Sequence, residues 1–312
     1  MIPLIEPVDR RLIKAELNDR TFLRRTQKAG NEIYIINPQT APHALLELGR
    51  VRELTFRATG AGSGKDVDLD HFDLEDPACY QLMVWDPDNE EIIGAYRFTL
   101  WAKATFHPNG QPYVNTEHLF HFSDKFIRNY MPYTIEMARA FIQPQYQSVK
   151  GGVKSLYALD NIWDGIGGLV AISPDVKYLA GKVSIYSTSP EMSRKAMIFF
   201  LDKFFGDREG LLTGKGAETF TDEEKTYFNG LFNADTEKEN YKILSSYVKS
   251  LGDYVPPLIH SYIELSSSMK TFGTVFDPSF GDVYDTAMII TLADVYEKKW
   301  KRYVESYKKE SR

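Results

Sequence analysis

The run Tyr133-Thr-Ile-Glu136-Met-Ala-Arg139-Ala-Phe-Ile142, then Gln143-Pro144-Gln-Tyr146-Gln147 and Gly151-Gly152, decides how this chain is read. The first ten residues, largely apolar, predict a strand, and Pro144 ends it because proline offers no N–H to a ladder. From about Val149 to Asp164 the apolar spacing becomes that of a helix. A strand that turns through glycines into a helix exposes amides at the helix start, where phosphate oxygens are held. An ordinary glycine turn is the alternative. Within the strand, Glu136 and Arg139 are three apart and face opposite sides unless the strand bulges between them. Two charges in an apolar strand need partners or solvent. One reading is structural, with Glu136 paired to Arg97 or Arg52 and Arg139 to Asp70 or Asp73. The other is a cleft in which carboxylates meet an amine and arginines hold or orient a carboxylate.

Working outward, Glu32–Ile36 reads as a strand, and Pro42 opens a helix that runs through Arg57. Tyr80–Trp85 and Glu91–Thr99 flank the turn Asp86-Pro-Asp-Asn89 and form a hairpin. Lys177–Tyr186 is a strand, and Ser189-Pro190 supplies a cap and first-turn proline for a helix to about Phe205. A short helix falls near Ser123–Asn129, and residues 8–27 read as a helical arm. The last hundred residues read as mainly helical, with one strand near Val283–Leu292. The order predicts a mixed α/β layer fold. With no repeat or low-complexity linker, the chain divides into an arm over residues 1–29, a core over 30–205 and an extension over 206–312 packed on the same domain.

The 312 residues carry 37 basic and 43 acidic side chains, a net charge of −6, which argues against a globally basic nucleic-acid binder. The charge is uneven. Asp66 to Glu91 holds ten acids and no Lys or Arg; the segments 1–28 and 297–312 each hold seven basic residues against four and three acids. Apolar stretches such as Ala196–Leu201 fall far short of the ~20 residues of a membrane span. The opening Met-Ile-Pro-Leu-Ile-Glu-Pro lacks the blocks of a signal peptide, so the cytoplasm is the expected compartment. One cysteine, Cys79, excludes a disulfide framework and reads as a packing residue.

Several motifs are decoys. Gly60-Ala-Gly-Ser-Gly-Lys65 is one residue short of a phosphate loop, is followed by Asp66 and follows no strand. It reads as a mobile loop. His118 and His121, with Glu117 and Asp124 nearby, make a weak case for a metal, and none is expected. Trp300, Tyr303, Val304 and Tyr307 recur at helical spacing among Lys and Arg, a stripe that either packs on the core or meets an anionic membrane surface.

A further set carries a resemblance. Arg52 precedes Phe56 by four; Asp70-His-Phe-Asp73 follows; Arg97 nears the end of a strand; and Glu136-Met-Ala-Arg139 leads to Ile142, Pro144 and Tyr146. This order resembles the GNAT acyltransferases, in particular the acyl-homoserine-lactone synthases. It is more closely similar to the hemolysin-named group containing the N-acyltransferases of ornithine-lipid and glycine-lipid synthesis. That branch also carries Pro-Pro-Leu-x-x-x-Tyr-x-x-Leu and Asp-Pro-x-Phe, which match Pro256–Leu265 and Asp277–Phe280. The usual acyl-carrier loop departs here, with Lys150 where its first glycine belongs.

The resemblance implies a GNAT-like, mostly antiparallel central sheet flanked by helices, with a mainly helical C-terminal extension. It implies transfer of a (3-hydroxy)fatty acyl group from acyl carrier protein to the α-amine of glycine or ornithine, in aminolipid synthesis. Glu136 and Arg139 would be catalytic, with Glu136 as base; Arg52, Asp70, Asp73 and Arg97 would bind or frame substrate. Gln147, Lys150, Gly151 and Gly152 would receive the acyl-phosphopantetheine arm, acyl-CoA being the second choice of donor. No cofactor is permanently bound. The basic ends would steer the acidic carrier protein, and the product would leave at the inner membrane face. A plain acetyl-CoA acetyltransferase and a non-catalytic carrier- or lipid-binding relative are the alternatives.

Overall fold

Among the described residues, ten strands and ten α-helices order the chain. The strands are β1 (Phe22–Arg25), β2 (Glu32–Ile36), β3 (Tyr80–Asp86), β4 (Glu91–Leu100), β5 (Phe120–Phe122), β6 (Thr134–Ile142), β7 (Tyr178–Tyr186), β8 (Leu212–Gly214), β9 (Lys270–Asp277) and β10 (Val283–Thr291). The helices are α1 (Arg10–Glu16), α2 (Pro42–Arg57), α3 (His71–Leu74), α4 (Asp124–Asn129), α5 (Gly152–Ala171), α6 (Glu191–Phe205), α7 (Asp222–Leu231), α8 (Glu237–Ser250), α9 (Pro257–Ile263) and α10 (Glu297–Trp300). These come from a computed structural model that describes residues 2–147 and 152–308. Two compact units interleave along the sequence: Met1–Thr99, Ile135–Val176 and Glu297–Arg312 form one, and Leu100–Thr134 and Lys177–Tyr296 the other.

The first unit holds the strand order β1-β2-β3-β4-β6, antiparallel from β1 through β4. Alternation assigns its two faces. Ile33 and Leu82 point to α5, so closely that a methyl on Gly165 would lie 3.0 Å from Leu82 and 3.2 Å from Ile33. Gln81, on the opposite face of β3, meets Arg52 of α2. The helix α2 presents Leu45, Leu48, Val51 and Phe56 inward, while Leu46 and Leu54 face solvent. The second unit pairs β7-β10-β9 antiparallel and β5 with β8. Trp101, Phe120, Phe122, Phe126, Leu212, Phe272 and Ile289 share its core.

Local differences from the sequence reading have physical causes. The arm over 8–27 is helical only at Arg10–Glu16; Asn18 and Thr21 close a turn, Phe22 N donating to the Asn18 carbonyl at 2.9 Å, and β1 follows. The helix expected to end at Asp164 continues to Ala171, because Gly165, Gly167 and Gly168 serve close packing rather than termination. Pro190, not Ser189, occupies the cap of α6. The last hundred residues hold β8 and β9 besides β10; β9 carries Gly273 at φ 87° and several polar residues, which hid it.

The C-terminal stripe turns inward at Tyr303. Its ring is buried, its hydroxyl donates to Asp160 at 2.7 Å, and Trp163 lies 6.2 Å away between centroids. A methyl on Gly167 would approach the Tyr303 carbonyl oxygen to 2.1 Å. Gly167→Val is expected to lower stability by about 1–3 kcal/mol, read as a shifted denaturant midpoint. Gly230→Ala, in open space on α7, should leave it unchanged or raise it.

Candidate active site

Arg52 sits on the buried side of α2 with no exposed surface, so its charge must be matched from within. Its Nε donates to Asp68 Oδ2 at 2.7 Å, Nη2 to Asp73 Oδ2 at 2.8 Å and to the Asp68 carbonyl, and Nη1 to Gln81 Oε1 at 3.3 Å. Every nitrogen of that guanidinium is engaged. Arg97 on β4 is also buried; its Nη1 donates to Asp70 Oδ1 and Oδ2 at 2.7 and 2.8 Å and lies 3.3 Å from Asp73 Oδ2. Arg139 reaches Asp68 Oδ1 at 2.8 Å and Asp70 Oδ2 at 3.4 Å. Three arginines and three aspartates therefore interlock.

The aspartates are placed by a local device. Asp70 caps α3 and Asp73 is its third residue: Asp73 N donates to Asp70 Oδ1 at 3.2 Å and Asp70 N to Asp73 Oδ2 at 3.1 Å. Gln81 Nε2 donates to the other Asp73 oxygen at 2.8 Å. Burial alone would raise the Asp73 pKa, but Arg52 and Arg97 overcome it and hold the carboxyl well below the ordinary range. At Asp70, burial and the Asp73 charge are likewise outweighed by Arg97 and Arg139, and the net direction is down. Arg97 is held further in its charged form by Asp73 and Asp70, against its burial.

Glu136 is buried in β6, and three residues on Arg139 takes the left-handed conformation, φ 53°. That break in alternation is the irregularity a shared site requires. β6 lies beside β4, the strand of Arg97, and Cys79 faces the same cluster: burial pushes this thiol up to about 11, with Arg97 and a 2.8 Å contact to the Thr99 hydroxyl acting against the shift and Glu136 and Asp73 adding to it. Arg52, Asp70, Asp73, Arg97 and Arg139 thus meet in one place. Of the structural pairings weighed, Arg139 takes Asp70 but not Asp73, and its nearer partner is Asp68. Asp68 and Gln81 were missed; the one signal for Asp68 was its place in the acid-only stretch.

The donor-side residues are placed in part. Gln147 is exposed, and its Nε2 donates to the Ile142 carbonyl at 2.5 Å. Gly152 opens α5 at φ 77°. Lys150 and Gly151 lie outside the described residues. Both flanks are tied to one carboxylate the sequence did not single out: Tyr146 Oη donates to Asp86 Oδ2 at 2.9 Å, and Lys154 Nζ to Asp86 and to Asp88 Oδ2 at 2.7 Å.

The glycine loop after α2 is not loose. Buried Glu53 accepts from Ser63 N and Oγ, both at 2.9 Å, and from Gly64 N at 2.8 Å. Amides that would face a phosphate face the protein's own carboxylate. His118 Nε2 lies 3.0 Å from Asp277 Oδ2, and Asp277 also accepts from Ser279 Oγ at 2.5 Å, so Asp-Pro-Ser-Phe closes a turn. Among the described residues no group of three His, Cys, Asp or Glu is placed to hold a metal ion, and no helix is long and apolar enough to cross a membrane.

Because the folded-state values of Asp70 and Asp73 lie below the ordinary carboxylate value, they stabilise the fold above about pH 4, and this is lost as pH falls. Asp73→Asn is expected to cost about 3–5 kcal/mol at pH 7 and to flatten the loss of stability between pH 6 and pH 3. Denaturant titrations at both pH values check it.

Residues 51–156 match the acetyltransferase (GNAT) domain family. The glycine N(alpha)-acyltransferase of Phocaeicola vulgatus is 42% identical over 311 residues, covering 99% of this chain and 95% of that protein. The glycine N(alpha)-acyltransferase of Bacteroides thetaiotaomicron is 43% identical over 310 residues, covering 98% and 91%. Weaker likenesses link the chain to two solved structures. FeeM, an N-acyl amino acid synthase from uncultured soil microbes, shows TM-score 0.38 and 10% identity over 89% of this chain and 96% of that one. The CoA-dependent acyl-homoserine lactone synthase BjaI shows 0.40 and 10% over 87% of each. The sequence match along nearly the whole chain shows that it belongs to the family of these glycine N(alpha)-acyltransferases, within the GNAT acyltransferases, and that it is an N-acyltransferase.

Proposed function

We propose that the enzyme transfers a (3-hydroxy)fatty acyl group from acyl carrier protein to the α-amine of glycine, a step of aminolipid synthesis. The observation that carries the acceptor is the match to glycine N(alpha)-acyltransferases at 42% and 43% identity, which favours glycine over ornithine. The amine nitrogen attacks the thioester carbonyl; the N–C bond forms, the C–S bond breaks, and one proton passes from the amine to the departing thiolate. A free amine is the nucleophile, so a base in reach raises the rate. Glu136 takes that role, directly or through a water. Arg139, the least buried of the three arginines, faces the carboxylates that line the site. Asp70 and Asp73 hold the wall rather than react, since both are committed to Arg52 and Arg97.

The donor reading rests on the start of α5. The positive end of this 20-residue helix, whose Lys154 is tied with Tyr146 to Asp86, suits the single phosphodiester of a phosphopantetheine arm. The basic ends support steering of an acidic carrier only weakly: Arg10, Lys14, Lys301 and Arg302 already pair with Glu91, Glu90, Glu297 and Asp160.

Purified enzyme given 3-hydroxyacyl carrier protein or acyl-CoA, with a pool of amino acids, should yield N-acylglycine from the carrier-bound donor by mass spectrometry. Product from acyl-CoA alone would overturn the donor; N-acylornithine as the main product would overturn the acceptor. Glu136→Gln is expected to lower kcat about 10²–10⁴-fold with the midpoint of unfolding little changed. Unchanged kcat would remove Glu136 as base.

A further inference from the structure

The arginine cluster contains one unsatisfied donor. Arg97 Nη2 is buried and has no hydrogen-bond partner among the described residues, although Nη1 of the same guanidinium contacts Asp70 and Asp73. An N–H pair removed from water without an acceptor costs free energy, so such a group in a native site calls for an acceptor, a bound water or a ligand that displaces it. Arg52 is as deeply buried but cannot serve, because all its guanidinium nitrogens are already engaged. Arg97 lies on β4, neighbour in the sheet to β6, which carries Glu136. The Phe72 ring, half-buried on the four-residue α3, covers the guanidinium at 5.7 Å from centroid to Cζ.

We propose that Arg97 Nη2 is the recognition point for the acceptor's carboxylate, so that the enzyme selects α-amino acids over plain amines. The proposal deepens the acyl-to-glycine reading and rests on it. Glycine's amine and carboxylate are joined through one carbon. An acceptor anchored by its carboxylate on β4 therefore presents its nitrogen close by, toward the neighbouring strand. The acceptor does not displace Asp70 or Asp73, because those stay on Nη1. Cover by Phe72 disfavours a bulky side chain on the acceptor's α-carbon, in keeping with the smallest amino acid.

The test compares glycine with glycinamide as acceptors for the wild-type enzyme, using whichever acyl donor supports turnover. Glycinamide has the less basic amine, so at neutral pH more of it is the free nucleophile, and chemistry alone would favour it. The proposal requires the reverse: kcat/KM for glycine higher on the order of 100-fold, the worth of a charged hydrogen bond. Arg97→Gln should abolish that preference, whereas Arg139→Gln should retain it even if turnover falls. Equal use of the two acceptors by wild-type enzyme would overturn the proposal while leaving acyl transfer intact. Preference that survives in Arg97→Gln, or is lost in Arg139→Gln, would place the carboxylate elsewhere. If Arg97→Gln does not fold, the wild-type ratio and the Arg139→Gln ratio still decide. An amine other than an amino acid as the best acceptor would overturn both this proposal and the acceptor reading beneath it.

Discussion

The buried exchange of charge among Arg52, Arg97, Arg139, Asp68, Asp70 and Asp73 is the constraint on which the first unit depends. A single ion moved from water into such a place costs several kcal/mol, and half of any pair here would be unaffordable. The six come from α2, from the segment around α3, from β4 and from β6. No element can be buried in its native position unless the others are, so the ions specify an arrangement more than they add stability. The left-handed backbone at Arg139 shows the strength of that demand. An L-residue with φ 53° costs about 1–2 kcal/mol, and ion pairs to Asp68 and Asp70 offset it.

Legibility in the sequence followed the range of the interaction. The α2 pattern, the β3–β4 hairpin and β6 are local in origin, and their bounds were readable within a residue or two. Glu136 and Arg139 stood out as charges in an apolar strand, whereas Arg52, Asp70, Asp73 and Arg97 were picked out by their order along the chain, through the family resemblance. Asp68 and Gln81 did not stand out, because each acquires its meaning from Arg52, 16 and 29 residues away. The same holds for Asp86, whose bonds to Tyr146 and Lys154 span 60 and 68 residues. The stripe ending in Tyr307 had two readings at equal spacing; the contact of Gly167 with Tyr303 assigns at least its buried tyrosine to the fold.

Two glycine segments show how little a motif says without its surroundings. Gly60–Lys65 supplies the small residues and amides of an anion cradle, and Glu53 fills it. An internal carboxylate in that position repels phosphate and fixes the loop, so the reading of a mobile segment gives way to a pinned one. At the start of α5 the charges are arranged differently. Lys154 in the first turn is drawn back to Asp86 and Asp88, which anchors the helix to the β3–β4 turn, and Gly152 takes a conformation that a side chain would strain. The chemistry of the amides is the same; the charge held against them decides their use.

The pre-paired cluster also fits the proton inventory of amide formation. Counting Glu136 as a carboxylate, the site has one negative charge more than its three arginines balance. A zwitterionic amino acid entering it adds no net charge. If its ammonium proton passes to Glu136, the nucleophile is freed and the excess charge moves from Glu136 to the acceptor's own carboxylate, toward Arg97. In that proposed step the charge would be relocated within a fixed set of dipoles and ions, without the solvent reorganisation the same step needs in water. Arginines already oriented by Asp68, Asp70 and Asp73 need not turn to meet it. In the proposed reaction, the ion pairs that oblige the fold to form in one way would also hold the field still while the proton moves.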